Sequence, residues 1–189
     1  MDMNKLISLV AAGLVLAIPA VMQAQPAVRQ PLKIRQVTGD NIQVQAAAAG
    51  PAQCFATPTA ENKAAAQATS ARRAASGLRS LRPDPKLAAA AARHACDMAT
   101  RGRMAHSGSH TKGPTQRVKG EGYKPSITAE NIAAGPFSLE QVLGAWNDSN
   151  GHLHNIMLPQ ATDFGIGRAV AADGRTVFWA ALYAAPRGR

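Results

Sequence analysis

Cysteine is nearly missing from this chain: Cys54 and Cys96 are the only two. A disulfide-scaffolded miniprotein is therefore excluded, and 189 residues can bury an ordinary core without one. Aromatic residues make up only 4 %, too few for a base-stacking surface. Acidic residues are scarce, 11 against 21 Lys and Arg, for a net charge of +10. The basic residues are scattered (Arg72, Arg73, Arg79, Arg82, Arg93, Arg101, Arg103) rather than gathered in a tract. Nucleic acid is thus not an expected partner, whereas an anionic envelope surface is compatible with the charge. No apolar run after the N-terminal region is long enough to span a bilayer. Short catalytic signatures are absent as well. There is no His-Glu-x-x-His and no Gly-x-Ser-x-Gly, and Gly165-Ile166-Gly167 falls within strand-like sequence rather than a phosphate loop.

What is present at the start has the form of a secretory signal peptide. Lys5 precedes an apolar run from Leu6 to Ile18, followed by Pro19 and small residues to Ala24. Residues 1–24 are assigned to that signal and the protein to a secreted or periplasmic location. No transmembrane segment is expected after its removal. Export permits a disulfide, so a Cys54–Cys96 bridge is favoured over two free buried thiols. Residues 25–55, with prolines and an alanine-glycine run but no sustained period, read as a linker or flexible arm, and residues 56–189 as the folded domain.

Within the domain, Pro58 opens an alanine-rich helix that Gly77 closes, and Asp84-Pro85 opens a second. The second carries Leu87, Ala91, Ala95 and Met98 on one apolar stripe, with His94 beside it as a packed or half-exposed helix residue. Pro114 to Lys119 suits a short helix, and 127–132 a strand with Glu130 in its middle. Ser138 with Gln141 forms a capping box for a helix whose inner face is Leu139, Val142, Leu143 and Trp146. Phe164 to Val170 and Thr176 to Tyr183 alternate as strands around an Asp173-Gly174 turn. Helices first and antiparallel strands later predict an α+β domain.

Polar residues at the ends of these elements supply the candidate chemistry. His106 follows the second helix, Glu130 sits in the first long strand, and His152 and His154 follow Trp146 in what reads as a turn aimed by Gly151. Brought together, His106, Glu130 and His152 could bind zinc or another divalent cation, perform acid–base chemistry, or pin loops together as a hydrogen-bonded network.

The ordered set His106-Ser107, Ala129-Glu130-Asn131-Ile132, Trp146, Ser149, Gly151-His152 and Asn155-Ile156 resembles the CAP superfamily. That group takes in cysteine-rich secretory, antigen 5 and pathogenesis-related proteins, and the likeness is to its bacterial exported branch. Gly77-Leu78, Leu81, Asp84 to Leu87 and the stretch Phe164 to Gly167 fall where that branch has them, so the resemblance covers Pro58 to Tyr183. It implies a three-layer α-β-α sandwich with a central antiparallel sheet and an open cleft. The cleft would be lined by two histidines and two acids that hold a divalent metal in some members. His106 and His152 match the histidines and Glu130 the first acid, while Ser149 stands in place of the second. Ala129 replaces the usual glycine, and His154 stands where a small residue is common, as an added cleft residue or a surface one. Trp146 and Asn155 read as structural.

The function expected is ligand binding or interaction in the envelope or outside the cell, with a lipid, glycan or peptide as ligand. Enzymatic activity is not the favoured reading. The alternative is a metal-dependent, peptidase-like hydrolase in which a zinc ion on His106 and His152 activates water and Glu130 serves as base or third ligand.

Overall fold

In the computed structural model residues 43–188 are described; the expected signal segment and the first part of the expected arm lie outside them. The chain runs through β1 (Val44–Gln45), β2 (Gln53–Cys54), α1 (Thr59–Ala74), β3 (Arg82–Pro83) and α2 (Pro85–Arg101). It continues through β4 (Arg103–Met104), α3 (Pro114–Gly120), β5 (Pro125–Gly135), α4 (Leu139–Asn147), α5 (Asn150–Ile156), β6 (Asp163–Val170) and β7 (Val177–Pro186).

Of the segment read as a linker or flexible arm, residues 43–55 are described, and they are tied to the domain. β1 pairs antiparallel with β4, and β2 adds to β6 at one edge of the main sheet. Cys54 is disulfide-bonded to Cys96 of α2. Two-residue strands show no period in sequence, so this segment reads as linker although its partners hold it. Closing the 42-residue separation is worth about 3–4 kcal/mol in the chain-entropy model.

The main sheet has the order β2-β6-β7-β5, with β3 added parallel to β6. The long pairings, β6 with β7 and β5 with β7, are antiparallel. Alternation along β7 builds the two cores. Phe178, Ala180, Leu182 and Ala184 face one core, with Leu87, Ala91, Ala95 and Met98 of α2 and Val118 of α3. Trp179, Ala181 and Tyr183 face the other, with Ala65 and Ala66 of α1, Trp146 of α4 and Ile156 of α5. Helices on both faces of one antiparallel sheet make the expected α-β-α sandwich.

Local chemistry explains the helix ends. The Asp84 carboxylate accepts from the N–H groups of Lys86 and Leu87 at 2.8 and 3.0 Å, and Gly102, at φ 63°, closes α2 in the left-handed conformation. Ser138 and Gln141 form the expected capping box on α4. Gly165 and Gly167 let α2 lie directly on β6. A Cβ on Gly165 would meet the Leu87 carbonyl carbon at 2.2 Å, and one on Gly167 would meet the Ala92 nitrogen at 2.2 Å.

Two buried side chains fix the elements that carry the site. Arg73 of α1 is fully buried and donates to the carbonyls of Arg79, Ile156, Leu158 and Ala161. A guanidinium on the last carbonyl of α5 also suits the negative end of that helix. Asn62 links α1 to the sheet by accepting from the Ile166 N–H at 3.2 Å.

Candidate functional site

β5 is an edge strand that, among the described strands, pairs with β7 alone. Such an edge normally exposes unpaired carbonyls, and here side chains from α4 and α5 cover them. Asn155 donates to the Glu130 carbonyl at 3.0 Å and to Asn131 Oδ1 at 2.9 Å. The Trp146 indole N–H points at the Ile132 carbonyl at 3.4 Å. Asn131, fully buried, donates to the His152 carbonyl at 3.1 Å and to the Tyr183 hydroxyl at 3.2 Å. Trp146 and Asn155 are therefore structural, as the sequence suggested.

The stretch expected to be a turn is a helix. Ser149 is the N-cap of α5, and Gly151 lies in its first turn without a positive φ. Asn, Gly and His are poor helix formers, so nothing local announces α5. Its anchors are remote: Arg73 at its C-terminal end and Asn155 on β5. The Ser149 hydroxyl, instead of capping a backbone N–H, hydrogen-bonds His152 Nδ1 at 2.8 Å. Helical geometry also separates the two histidines, because residues two apart point to different sides. His152 is buried at the β5 edge, whereas His154 is exposed. His154 thus lies at the surface, one of the two placements the sequence left open.

Glu130 points from β5 toward α2 and α3, with its side chain 1 % exposed. His106 Nδ1 donates to Glu130 Oε2 at 2.8 Å, and Arg117 Nη2 donates to Oε1 at 2.5 Å. Arg117 also donates through Nη1 to the His106 carbonyl at 2.9 Å and to the Thr111 hydroxyl at 3.0 Å. His94 Nε2 lies 2.9 Å from the Ala105 carbonyl and 3.8 Å from Glu130 Oε2. His94 is therefore packed in the helix interior, and it touches the same network.

Burial by itself would raise the Glu130 pKa. The opposing influence of His94, the His106 hydrogen bond and the Arg117 guanidinium holds it down at about 2. Burial also lowers His94 to about 4, despite the nearby Glu130 carboxylate. Burial, reinforced by His106, lowers His152 to about 4 against the pull of the Ile132 carbonyl. Near neutral pH the cluster thus combines a carboxylate with neutral His94 and His152. Acceptor-only partners assign two tautomers: His94 carries its proton on Nε2, and a neutral His106 carries its proton on Nδ1, leaving Nε2 as an acceptor. The His106 side chain is 20 % exposed and gives the cluster its contact with solvent.

His106, Glu130, Ser149 and His152 all gather at the β5 edge, but as two pairs. Glu130 orients His106, and Ser149 orients His152. Among the described residues, the histidine that hydrogen-bonds Ser149 is His152 and the one that hydrogen-bonds Glu130 is His106, so these contacts do not line up as a serine–histidine–carboxylate relay. Nor do the residues fit a three-ligand metal centre. Among the described residues no three His, Cys, Asp or Glu side chains are placed to hold a metal ion, and both Glu130 oxygens are already engaged. Sequence reasoning passed over Arg117. Its only signal is a place beside Val118 on the inward side of a seven-residue helix, which looks like any surface arginine until the fold sets it under Glu130.

The family model for CAP, the cysteine-rich secretory protein family, matches residues 66–183. The chain belongs to the CAP family. Of curated proteins, YkwD of Bacillus subtilis strain 168, itself described as uncharacterized, is 32 % identical over 109 residues, 58 % of this chain. The match spans only 42 % of that relative's length. Among solved structures, an outer surface protein of Borrelia burgdorferi superimposes with a TM-score of 0.60 at 21 % identity, covering 68 % of this chain and 95 % of that one. An extracellular SCP-domain protein of Bacillus anthracis gives a TM-score of 0.58 at 23 % identity, covering 66 % and 40 %. At these identities the structures show a shared CAP fold.

Proposed function

We propose that this CAP protein is exported and acts as a binding module, holding a lipid, glycan or peptide of the cell envelope at the His106–His152 cleft. The observation that carries this reading is the engagement of both Glu130 oxygens, one by Arg117 and one by His106. A carboxylate so held orients an imidazole and is not free to activate water. Ser149, standing where the resemblance leads one to expect a second acid, leaves the cleft with a single carboxylate. Export is supported by the family's secretory character, by the surface and extracellular descriptions of two similar folds and by the Cys54–Cys96 bridge. The net charge of +10 suits an anionic envelope surface. Among the described residues no helix is long and apolar enough to cross a membrane.

The alternative, a metal-assisted hydrolase, would require Glu130 to leave Arg117, or a metal held by His106 and His152 alone. The test presents separated envelope lipids, glycans and peptides to the full chain and to the His106→Ala and His152→Ala variants. One ligand class should be retained by the parent and released by both variants. Retention of none, or equal retention by all three proteins, would refute the binding reading. Cell fractionation tests export separately: the protein should leave the cytoplasm in a shortened form.

A further inference from the structure

Basic residues that lie apart in the sequence meet at one end of the sandwich, where α2 and β6 begin, β7 finishes and α3 leads into β5. Hydrogen bonds tie these segments together. The Lys86 ammonium donates to the Gly122 carbonyl at 3.1 Å, and the Gly122 N–H to the Lys119 carbonyl at 3.0 Å. The Arg187 N–H donates to the Lys124 carbonyl at 2.7 Å, just beyond the paired ends of β5 and β7. The Asp163 carboxylate accepts from the Tyr123 hydroxyl at 2.6 Å and from the Arg82 guanidinium at 3.0 Å. Arg82, Lys86, Lys119, Lys124 and Arg187 therefore share this end, and all five are exposed.

The carboxylates at this end are committed. Asp84 caps α2, Asp163 is buried beneath Arg82 and Tyr123, and Glu121 pairs with Arg93. Among the described residues no carboxylate lies within ion-pair distance of Lys86, Lys119, Lys124 or Arg187. At the opposite end, where α2 stops and β6 turns into β7, charge is better matched: Asp97 pairs with Arg101, and Asp173 accepts from the Arg175 N–H. The five cations come from the α2–α3 layer and from the sheet, so they spread over an area and not along a line. Exposed prolines, Pro83, Pro85 and Pro186, stand among them and stiffen the segments. A line of cations would suit a single polyanionic strand, whereas an area of them suits a plane of phosphate headgroups. Among the described residues the one exposed large hydrophobic side chain is Phe55, which stacks with Arg168 toward the far end of β6. The contact is therefore one of charge, without insertion.

We propose that this end of the sandwich is a docking surface for an anionic phospholipid bilayer, on which the protein lies through Arg82, Lys86, Lys119, Lys124 and Arg187. The proposal rests on the reading that the protein is exported to an envelope membrane, and not on any ligand of the His106–His152 cleft.

The test separates position from net charge. The Lys119, Lys124 and Arg187 side chains make no hydrogen bond or ion pair among the described residues, so Lys119→Gln, Lys124→Gln and Arg187→Gln together remove three charges without disturbing the fold. A control triple, Arg103→Gln, Lys112→Gln and Arg175→Gln, removes the same charge from exposed positions away from this end. The full chain and both triples are mixed with phosphatidylcholine vesicles, with and without about one third phosphatidylglycerol, and bound protein is read by co-sedimentation. Any binding by the apolar run Leu6 to Ile18 is common to all three proteins and drops out of the comparison. The parent should prefer the anionic vesicles about tenfold or more, and salt at about 0.5 M should abolish the preference. The first triple should weaken anionic binding about a hundredfold, the control triple no more than about fivefold, and His152→Ala should bind like the parent. No preference for anionic vesicles would overturn the proposal, as would equal losses in the two triples, which would make the attraction one of net charge alone. Binding to a soluble glycerol phosphate polymer but not to vesicles would overturn it too, and so would loss in His152→Ala, which would move the contact to the cleft. Fractionation judges export separately, so an exported protein that ignores anionic vesicles would sink the docking surface and leave the export reading standing.

Discussion

At the seam where α2 crosses β6, Gly165 and Gly167 bring two backbones so close that no Cβ fits between them. At the free edge of β5, the groups that meet are a carboxylate, a guanidinium, imidazoles and amides, joined by hydrogen bonds. The seam is held by apolar packing that depends on shape alone. The edge is held by hydrogen bonds between buried polar groups, where removing one partner strands the other. Substitutions should therefore fail by different routes in the two regions: by volume at the seam and by charge at the edge.

The largest effect is expected at the seam. Gly167→Val places side-chain atoms inside the backbone of α2 and should cost about 4 kcal/mol or more, read as failure to give a cooperative thermal transition. At the edge, Glu130→Ala leaves Arg117 buried without its counter-charge and should cost about 3 kcal/mol in urea unfolding. The additional substitution Arg117→Met should recover part of that loss. Recovery there, with none available from a second substitution beside Gly167→Val, would sharpen the distinction between charge and volume. Equal rescue in both regions would break it.

Acid should act on the edge. His94 and His152 have folded pKa values near 4, below their ordinary 6.5, and Glu130 has one near 2, below 4.5. Each value is depressed, so the unfolded chain binds more protons across the interval and stability falls as pH falls. The histidine contribution is complete above about pH 6.5 and is lost on the way to pH 4; the Glu130 contribution is lost below that. Unfolding free energy measured from neutral pH down to about 4 should decline, and His152→Ala should flatten part of the decline. A profile unchanged by the substitution would mean that His152 is not buried in its neutral form.

The smallest effect separates the two histidines of α5. His152→Ala removes the Ser149 contact and should cost about 1–2 kcal/mol, whereas His154→Ala should stay within about 0.5 kcal/mol. Similar losses at the two positions would contradict the placement of His154 on the surface.

How much of this was legible in the sequence follows the same division. The α2 stripe, the Asp84 and Ser138 caps, the Asp173-Gly174 turn and the alternation in β6 and β7 announce themselves because they are local and periodic. The pairing of Cys54 with Cys96 was the single intramolecular choice. Local rules failed where an element is held from afar. α5 is poor in helix formers and depends on Arg73 and Asn155; β1 and β2 are two residues each and depend on their partners. In the site, the ordered motifs identified His106, Glu130, Ser149 and His152, but nothing in the spacing places Arg117 under Glu130 or turns His154 outward.

Zinc titration by calorimetry on the full chain, beside the His152→Ala variant and at neutral pH, tests most directly whether Glu130 is a held, positioning carboxylate. With both its oxygens on Arg117 and His106, the expected result is no saturable binding in the micromolar range and no difference between the two proteins. Stoichiometric micromolar binding that disappears in His152→Ala would contradict it, and would make the β5 edge a metal centre.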